Sequence, residues 1–538
     1  MPTSRIEARA ARGDGGEPRV ARDPDVVAAC LADAAHVPGG HAAGVATPAS
    51  ESEIAALLGS ARTVLPIGAQ SSLTGGATPM GEVVLSTAKL NRLLEIGPDT
   101  VRVQPGVPLV ELDRALERAG RYYPPAPTFG GAFVGGTVAT NAAGAATFKY
   151  GTTRDWVEAL TVVLADGSVL DITRGRVLAS NGAFEIASAR GTVRVPVPTY
   201  RLPDVPKVSA GYFAAPGMDL VDLFIGSEGT LGIISEVTLR VVPERPAIAV
   251  VWVPFPRRDA ALDFVRRLRT TARETWRTGD PHGIDVSAIE HMDARSLALL
   301  REDGIDREQG VALTGREALA LLVTIELRGM DGPAAYDQIG RALDREADGA
   351  LVRFCRLLDE YGVLDEVEIA VPGDRTRAAQ LHALREGVPE AVNRRVGLAQ
   401  RDVDARIQKT AADMIVPFEA LDRLFTLYDE TFAARGLDVA VWGHISDGNV
   451  HPNVIPRSYA DVEAGTDAIL EIGRAVVAMG GSPLAEHGVG RSPVKQRLLE
   501  ALYGAGGVAE MRRVKEALDP RWILAPGVLF ADTQSAGS

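Results

Sequence analysis

The sequence predicts an α+β fold with more than one domain. The chain has 538 residues, which is more than a single hydrophobic core usually supports. Between residues 64 and 242, short β-branched runs alternate with Gly-rich turns and only occasional helices, so a regular βαβ repeat is not expected. After Pro243, strands alternate with longer amphipathic helices, a pattern typical of a sheet with helices packed on one face. We therefore predict four parts, with boundaries at 1–42, 43–243, 244–460 and 461–538.

The N-terminal part is predicted to be a tail followed by a helix. Residues 1–24 are polar and charged, and we expect them to be disordered. They contain no apolar h-region, so a secretory signal is not expected. Apolar residues have helical spacing over 25–37 and again over 49–62, where Ser50 and Ser52 are candidate N-caps.

The part from 43 to 243 is predicted to contain most of the short strands. A helix is expected over 109–119, and Asp166-Gly167 predicts a hairpin turn. The stretch 174–210 has little periodicity and several prolines, so we predict a loop insertion. The strand-like runs are VLPIG (64–68), EVVLST (82–87), TVRVQPG (100–106), WVEALTVVLADGSVLDI (156–172) and ISEVTLRVV (234–242).

The part from 244 onwards is predicted to form the second sheet. Its strands include AIAVVWVPF (247–255) and LALLVTIEL (319–327), with helices near 258–275 and 332–347. From 461 the chain is predicted to be mostly helical, and it closes with the apolar stretch LDPRWILAPGVLF.

Composition limits the possible partners and compartment. The formal charge of −13 argues against nucleic acid or an anionic membrane as the main partner. The two cysteines, Cys30 and Cys355, cannot build a disulfide framework or an iron–sulfur cluster, which fits a reducing compartment. No apolar run reaches the ~18 residues of a transmembrane segment. We expect a cytoplasmic protein; peripheral binding at the inner face of the membrane and a homodimer are open alternatives.

The motif WGHISDGNVHPN (442–453) carries the most specific chemistry in the sequence. If Asp447-Gly448 is a two-residue hairpin loop, His444 and His451 lie directly opposite each other, with β-carbons ~5 Å apart. Asn453 then points to the same side as His451. Two imidazoles at that separation can bind one divalent metal ion, and Glu486 in the later motif EHGVG offers a third ligand. The alternative is a polar hairpin with surface histidines, but the chain has only 8 histidines and three lie in these motifs.

Four glycine-rich segments form a second pattern. Residues 66–76 (PIGAQSSLTGG) lie between two predicted strands, and their backbone N–H groups can converge on an anion. The segment matches neither the Walker A pattern nor GxGxxG, and taken alone it could be a simple turn. Three further uncharged or Gly-rich segments cover 124–144, 149–155 and 222–234, and they suit close approach to a large planar ligand with a pyrophosphate.

In their order and spacing, these four segments resemble the FAD-binding domain of the vanillyl-alcohol-oxidase/PCMH family of flavoproteins. The ending ALDPRWILAPGVLF is similar to that family's C-terminal segment. With GHISDGNVHPN and EHGVG, the resemblance points to the D-2-hydroxyacid dehydrogenase branch, which includes D-lactate dehydrogenase (cytochrome), the glycolate oxidase flavin subunit and D-2-hydroxyglutarate dehydrogenase. It implies a two-part PCMH-type FAD-binding domain over 43–243, a substrate-binding cap domain over 244–460, and a C-terminal helical segment that completes the oxidase region.

The resemblance also implies a set of FAD contacts. The loop 66–74 would hold the pyrophosphate, and the other segments would lie along the flavin. No His or Cys is present at 69–71, where some relatives tether the flavin, so non-covalent FAD is expected. The implied FAD-binding residues are Pro66, Ile67, Gly68, Ala69, Gln70, Ser71, Ser72, Leu73, Thr74, Thr128, Gly136, Thr137, Asn141, Gly144, Gly151, Thr152, Glu228, Gly232, Ile233 and Ile234.

The implied reaction is the oxidation of a D-2-hydroxy acid, with D-lactate as the first expectation, to the 2-oxo acid. His444, His451 and Glu486 would bind a divalent metal, zinc in the first place and manganese or cobalt as alternatives. His487 would be the general base, Arg385 and Lys409 would bind the substrate carboxylate, and Asn453 would contact substrate or metal-bound water. A quinone, a cytochrome or an electron-transfer flavoprotein would accept the electrons.

Other functions remain open at this point. D-2-Hydroxyglutarate or glycolate is the alternative substrate within the same branch. The alkyldihydroxyacetonephosphate synthase type has three consecutive histidines where this chain has Ala485-Glu486-His487. A metal-dependent hydrolase without flavin and a non-catalytic binding protein are the alternatives from other classes. The segment after Lys207 has Val208 where relatives often have Asn, so the resemblance leaves the role of this segment open.

Overall fold

The computed structural model describes residues 3–125, 129–188 and 190–531. Helices and short strands alternate irregularly along these residues, which confirms the predicted α+β class. The strands are β1 (Arg5–Glu7), β2 (Val20–Ala21), β3 (Gly44–Ala46), β4 (Val64–Ile67), β5 (Val83–Ser86), β6 (Leu93–Ile96), β7 (Thr100–Val103), β8 (Arg121–Tyr122), β9 (Val157–Val163), β10 (Val169–Thr173), β11 (Ala183–Ser188), β12 (Gly191–Pro196), β13 (Ile233–Arg240), β14 (Val242–Pro243), β15 (Ile248–Phe255), β16 (Val286–Asp293), β17 (Leu319–Glu326), β18 (Glu368–Ala370), β19 (Thr410–Ala411), β20 (Met414–Ile415), β21 (Val439–His444) and β22 (Asn449–Val454).

The helices range from single turns to segments of more than twenty residues. No helix in the described ranges is long and apolar enough to cross a membrane. The α-helices are α1 (Pro24–Ala28), α2 (Glu51–Ser60), α3 (Leu109–Arg118), α4 (Val134–Ala139), α5 (Thr147–Tyr150), α6 (Leu220–Phe224), α7 (Arg258–Thr278), α8 (Ala294–Asp303), α9 (Ile305–Glu308), α10 (Gly332–Gly340), α11 (Ala350–Glu360), α12 (Arg375–Asp402), α13 (Leu421–Ala433), α14 (Tyr459–Ala478) and α15 (Pro493–Leu518). Short 3₁₀ turns occur at Thr87–Lys89, Thr153–Trp156, Leu364–Glu366, Phe418–Ala420 and Ile445–Asp447.

The chain divides into two compact units. The first unit contains Met1–Gly144, Gly151–Arg245 and Leu484–Ser538, and the second contains Ala145–Tyr150 and Pro246–Pro483. Helix α14 therefore belongs to the second unit and α15 to the first. The four-part division stated from the sequence remains a prediction.

The first unit is built on a four-stranded sheet in the order β2-β3-β5-β4, in which β3, β5 and β4 are parallel. Helix α2 begins where the Ser50 hydroxyl accepts a bond from the Glu53 N–H, as predicted, and its apolar side packs into the core beside this sheet. The C-terminal closing segment joins the edge of the same sheet, because Val64 exchanges backbone hydrogen bonds with Ile523 and Ala525. The loop between β4 and β5 is therefore held at both ends by buried strands.

A five-stranded antiparallel sheet, in the order β10-β9-β13-β7-β6, completes the scaffold of the first unit. Strands β9 and β10 are antiparallel, and Val163 opposite Val169 is the pair next to the turn. This confirms the hairpin predicted at Asp166-Gly167. Strand β13 follows the Gly-rich segment 222–232 directly, so this segment is anchored at the middle of the sheet.

Two predictions for the first unit are wrong. The tail is not disordered: β1 pairs in parallel with β11, and Arg9 forms ion pairs with Glu51 and Asp171, both at 2.6 Å. The stretch 174–210 is not only a loop, since β11 and β12 form a hairpin within it. The sequence did not indicate β1 or the ion pairs of Arg9, because a three-residue strand and long-range ion pairs leave no periodic apolar pattern.

Some predicted helices also differ in length. Helix α1 ends at Ala28 instead of extending over 25–37, and α10 ends at Gly340 instead of continuing to 347. Gly340, the last residue of α10, and Asp344 after it disfavour continuation of a helix. Helix α7, in contrast, continues to Thr278 and ends at the left-handed Gly279.

The second unit is an eight-stranded sheet, with pairing along β18-β15-β17-β16-β21-β22-β19 and β20 joined to β22. Each of these pairs is antiparallel. The long helix α12 packs with α8 over one face of the sheet, and its buried residues Leu384 and Val388 join a core that includes Trp252 and Trp442. Strands β16, β21 and β22 are adjacent, and they carry the histidine motif.

Candidate active site

The loop 66–74 of the first unit has the donor set expected for a pyrophosphate. Pro66 and Ile67 lie in β4, and Gln70 has a left-handed backbone with φ of +52°. The Gln70 side-chain amide donates to the carbonyls of Cys30 and Ala77, so the side chain closes the loop. The backbone N–H groups of residues 69–73 donate no hydrogen bond within the described part of the chain. A run of such amides needs an acceptor, and an anionic phosphate group is a suitable one.

The second predicted FAD segment packs against this loop. A β-carbon built on Gly68 would lie 3.6 Å from the Phe133 side chain and 3.9 Å from the Gly136 Cα, while one on Gly136 would meet nothing within 4 Å. The space beside Gly136 is therefore open, as a planar ligand requires. Thr137 is buried, and its hydroxyl donates to the Val134 carbonyl. Thr128 lies outside the described residues.

The residues that follow have clear structural partners. Asn141 is buried, and its side-chain oxygen accepts a bond from the Arg154 N–H at 2.9 Å. Gly144 is the last residue of its segment of the first unit. Gly151 has φ of +73°, and Thr152 begins a 3₁₀ turn in a capping box with Asp155. These contacts within the protein explain why these residue types occur here without a ligand. The flavin contacts proposed for these residues therefore rest on the family resemblance.

The fourth predicted segment contains Glu228, Gly232, Ile233 and Ile234. Gly232 cannot carry a side chain, since a β-carbon there would lie 2.4 Å from Val162. Ile233 and Ile234 begin β13 and are buried. The Glu228 carboxylate accepts the Val489 and Gly490 N–H groups at 2.9 and 2.8 Å. Desolvation raises the pKa of Glu228 to about 7, although these two donors oppose the shift.

In the second unit, the hairpin carrying His444 and His451 differs in register from the prediction. Trp442, not His444, pairs with His451, because Ile445–Asp447 form a 3₁₀ turn and Gly448 closes it with φ of +83°. The predicted two-residue loop is therefore wrong. The register differs by two residues, so both histidines stay on the same face of the sheet. Their ring centroids are 5.6 Å apart.

Each histidine has a carboxylate on its Nδ1 atom. His444 Nδ1 lies 2.9 Å from Glu290 Oε1, and His451 Nδ1 lies 3.1 Å from Asp413 Oδ1. A carboxylate on Nδ1 fixes the ring tautomer and makes Nε2 the metal-binding nitrogen, as is common around bound metals. Neither carboxylate was predicted. For Glu290, the available signal was a pair of polar residues, Glu290 and His291, in the middle of the strand VSAIEHMD.

The two predicted carboxylate-binding cations have different surroundings. Arg385, on α12, donates through Nε to Glu290 at 3.0 Å, so Glu290 joins Arg385 to His444. Burial opposes ionisation of Glu290, but the charges of Arg385 and His444 dominate and lower its pKa. Lys409 precedes β19, is exposed, and forms no ion pair within the described ranges. Asn453 is buried in β22, and its amide donates to the His451 carbonyl at 3.0 Å.

The EHGVG motif belongs to the first unit. Glu486 is buried, and Lys207 Nζ lies 2.6 Å from its Oε1 atom with the lysine side chain fully buried. His487 is more exposed, with 42% of its side chain accessible and φ of +66°, and its Nε2 lies 3.8 Å from Glu486 Oε2. Lys207 therefore has a defined partner in the EHGVG motif, although the sequence left the role of its segment open. The available signal was a single lysine at the start of the otherwise uncharged stretch KVSAGYF, because a lysine that becomes buried is almost always paired with an acid.

Comparison with known protein families identifies two domains. Residues 42–173 match the FAD binding domain family, and residues 244–529 match the family described as FAD linked oxidases, C-terminal domain. The unsatisfied amides at 69–73 and the open space at Gly136 are consistent with FAD in the first match.

Several curated proteins are similar over most of their length. The D-2-hydroxyglutarate dehydrogenase of Xanthomonas citri pv. viticola is 31% identical over 498 residues, which covers 90% of this chain and 89% of that protein. The glycolate oxidase subunit GlcD of Bacillus subtilis is 28% identical, covering 87% of this chain and 84% of the relative. The D-lactate dehydrogenase of Anaerostipes hadrus is also 28% identical, with 86% and 83% covered.

Solved structures agree on the fold. The 4-ethylphenol oxidase from Gulosibacter chungangensis superposes with a TM-score of 0.63 at 17% identity, covering 96% of this chain and 95% of that one. At this identity the likeness shows the fold alone. The oxidase-domain match spans more than half of the chain, and the first relative exceeds 30% identity at nearly full coverage. The chain therefore belongs to the family of FAD-linked oxidases and is an FAD-linked oxidoreductase.

Proposed function

We propose that this protein is a dehydrogenase that oxidises a D-2-hydroxy acid to the corresponding 2-oxo acid. One observation carries the proposal: in an FAD-linked oxidoreductase, two neighbouring histidines each have a carboxylate on Nδ1, at 2.9 and 3.1 Å. This is the environment of imidazoles that bind a catalytic metal, and a hydroxy acid is a bidentate oxygen ligand for such an ion. The relatives include dehydrogenases named for D-lactate and D-2-hydroxyglutarate, which supports the same substrate class.

The proposed roles follow from the chemistry of each side chain. Bound FAD would supply the acceptor for the hydride of the substrate Cα. His444 and His451, with Glu486 as the third ligand suggested by the family resemblance, would hold a divalent ion, zinc in the first place, that acidifies the substrate hydroxyl. His487, with 42% of its side chain accessible, would take the hydroxyl proton.

Two further residues of the second unit would bind the rest of the substrate. Arg385 would bind the carboxylate with its terminal nitrogens while its Nε atom stays on Glu290. Asn453 would orient the substrate from β22, next to His451. D-Lactate is the first substrate that we propose.

D-2-Hydroxyglutarate is the second candidate, and Lys409 favours it. This lysine is exposed and has no ion-pair partner among the described residues, so it could bind a second carboxylate. The relative with 31% identity is named for the same substrate. A quinone, a cytochrome or an electron-transfer flavoprotein is the proposed electron acceptor.

A panel of 2-hydroxy acids tests the proposal. The purified protein is assayed with both enantiomers of lactate, 2-hydroxyglutarate and malate, and with glycolate, using an artificial dye as acceptor. We expect turnover of D-enantiomers and bleaching of the flavin absorbance without oxygen. Turnover of L-enantiomers alone, or a protein that neither contains nor takes up FAD, would refute it, and hydrolytic activity without flavin would favour a metal-dependent hydrolase.

A further inference from the structure

Three loops of the first unit meet at the side chain of Glu228. Its carboxylate oxygens accept one backbone bond each, Oε1 from Val489 and Oε2 from Gly490. A β-carbon built on Gly76, from the loop after the predicted pyrophosphate segment, would lie 3.7 Å from Glu228 Oε2 and 3.3 Å from the Gly490 Cα. Glu228 belongs to the segment before β13. Its carboxyl group therefore lies between the segment after β4 and the EHGVG motif.

The backbone of the EHGVG motif is shaped around this carboxylate. His487, Gly488 and Gly490 have φ values of +66°, +76° and +57°, which is an unusual run of left-handed residues. Such a conformation directs neighbouring N–H groups to one point and forms an anion-binding nest. A β-carbon on Gly488 would lie 2.6 Å from the Glu228 Cδ atom, so the loop is packed directly on the carboxylate. The nest is occupied by the carboxyl group of Glu228, which accepts both N–H groups.

The strained residue in this loop is also the proposed base. A histidine at φ of +66° is held in a sparsely populated conformation, and such a conformation persists only when neighbouring contacts impose it. The two bonds to Glu228 begin two residues after His487, and Lys495 Nζ donates to the Gly488 carbonyl at 3.1 Å, so both side chains hold the backbone next to the strained position. Loss of the Glu228 bonds is therefore expected to let the loop relax and the imidazole change direction.

We propose that Glu228 is a positioning residue, which holds the EHGVG loop in its left-handed conformation and thereby aims His487. The assignment of His487 as base rests on the proposed function, whereas the anchoring of the loop does not. Glu228 would act through the backbone of Val489 and Gly490 and would not itself exchange a proton with substrate.

The test uses the full-length, FAD-loaded protein with Glu228→Gln, which keeps the side-chain volume but places an amide NH₂ group against a backbone N–H. We expect hydrogen exchange of the peptide covering 484–492 to be about tenfold faster, because the two bonds to the Val489 and Gly490 N–H groups are weakened. The rate of flavin reduction per bound FAD should fall by about 10- to 100-fold, which is typical of a displaced catalytic group. KM should change little.

Asp219→Asn is the matched control in the same unit. Asp219 is a buried carboxylate that also accepts two backbone N–H groups, from Gly175 and Val221, but in a loop away from EHGVG. It should lower stability without changing exchange at 484–492 or the rate per flavin. If Glu228→Gln does not retain FAD, Gly488→Ala disturbs the same contact from the loop side and replaces it.

Unchanged exchange at 484–492 in the Glu228 variant, or in Gly488→Ala where that replaces it, would overturn the inference. An equal effect of Asp219→Asn on that peptide would also overturn it. If exchange increases but no 2-hydroxy acid reduces the flavin in the wild type, the anchoring is supported and the proposed function fails instead.

Discussion

At the scale of single residues, His487 and Arg385 should contribute to different steps of the reaction. His487 is accessible over 42% of its side chain, as a group that exchanges protons with a substrate must be. A base acts in the transition state, so we expect His487→Ala to lower the rate of flavin reduction by ~10²–10⁴-fold, mainly in kcat. Anaerobic stopped-flow absorbance with the best substrate of the panel measures this rate, and a reduction rate equal to that of the wild type would place the base elsewhere.

Arg385 should act on binding. A substrate carboxylate is charged in both the ground and the transition state, so Arg385→Ala should raise KM by the equivalent of ~1.5–3 kcal/mol, with a smaller effect on kcat. Because Arg385 also holds Glu290, Arg385→Lys separates the effects: the charge remains, but the Nε bond is lost. Lys409→Ala is the comparison variant. If only Lys409→Ala raises KM, Lys409 is the carboxylate-binding residue.

At the scale of elements, the β21–β22 hairpin shows what a local pattern could and could not predict. The sequence correctly indicated that the two histidines lie on one face of the sheet. Side chains alternate between the faces, so a register shift of two residues leaves each of them on the same face. It did not indicate the loop length, since Ile445 is as apolar as a strand residue but lies in a 3₁₀ turn. Glu290 and Asp413 were also missed, because partners on distant elements have no local spacing relative to the histidines.

The same hairpin yields a prediction about metal. His444→Ala and His451→Ala should each remove most bound divalent metal and most activity while FAD content stays near that of the wild type. Asp413→Asn should weaken metal binding less, by about 10–100-fold, as loss of an outer carboxylate does. Elemental analysis after chelation and re-addition of zinc, manganese or cobalt measures the effect. Full activity of the metal-stripped protein would contradict the proposal.

At the scale of the whole molecule, the sequence was most informative where glycine and histidine motifs were arranged in order. The FAD-binding and oxidase families were predicted from segments far apart in the chain, and the comparisons confirm both. Pairing between distant strands was not predicted: β1 joins β11, and the C-terminal segment joins β4 at Val64. These contacts depend on tertiary packing of short segments, which apolar periodicity does not report.

We predict that FAD is bound without a covalent link to the protein. The residues at 69–71 are Ala, Gln and Ser, which offer neither an imidazole nor a thiol to the flavin. We therefore expect a yellow protein that releases FAD, and not FMN, on acid or heat denaturation. Chromatography of the supernatant identifies the flavin. Flavin that stays with the precipitated protein would show a covalent bond at another position.

The last prediction concerns the stability of the protein at low pH. His291, in β16, is 1% exposed, and neither ring nitrogen has a hydrogen-bond partner among the residues that the structure describes. Burial lowers its pKa from 6.5 to about 3, so the folded form keeps the ring neutral while the unfolded chain binds a proton below 6.5. Stability should therefore fall as the pH decreases below 6.5, by about 1.4 kcal/mol for each pH unit from this residue alone.

In His291→Phe, whose ring can keep the contact with Phe425, this part of the slope should disappear. Urea unfolding of both proteins between about pH 7.5 and about pH 5 gives the comparison, because at the upper limit the histidine is neutral in both states. Parallel curves for the two proteins would mean that His291 is protonated in the folded state as readily as in the unfolded one.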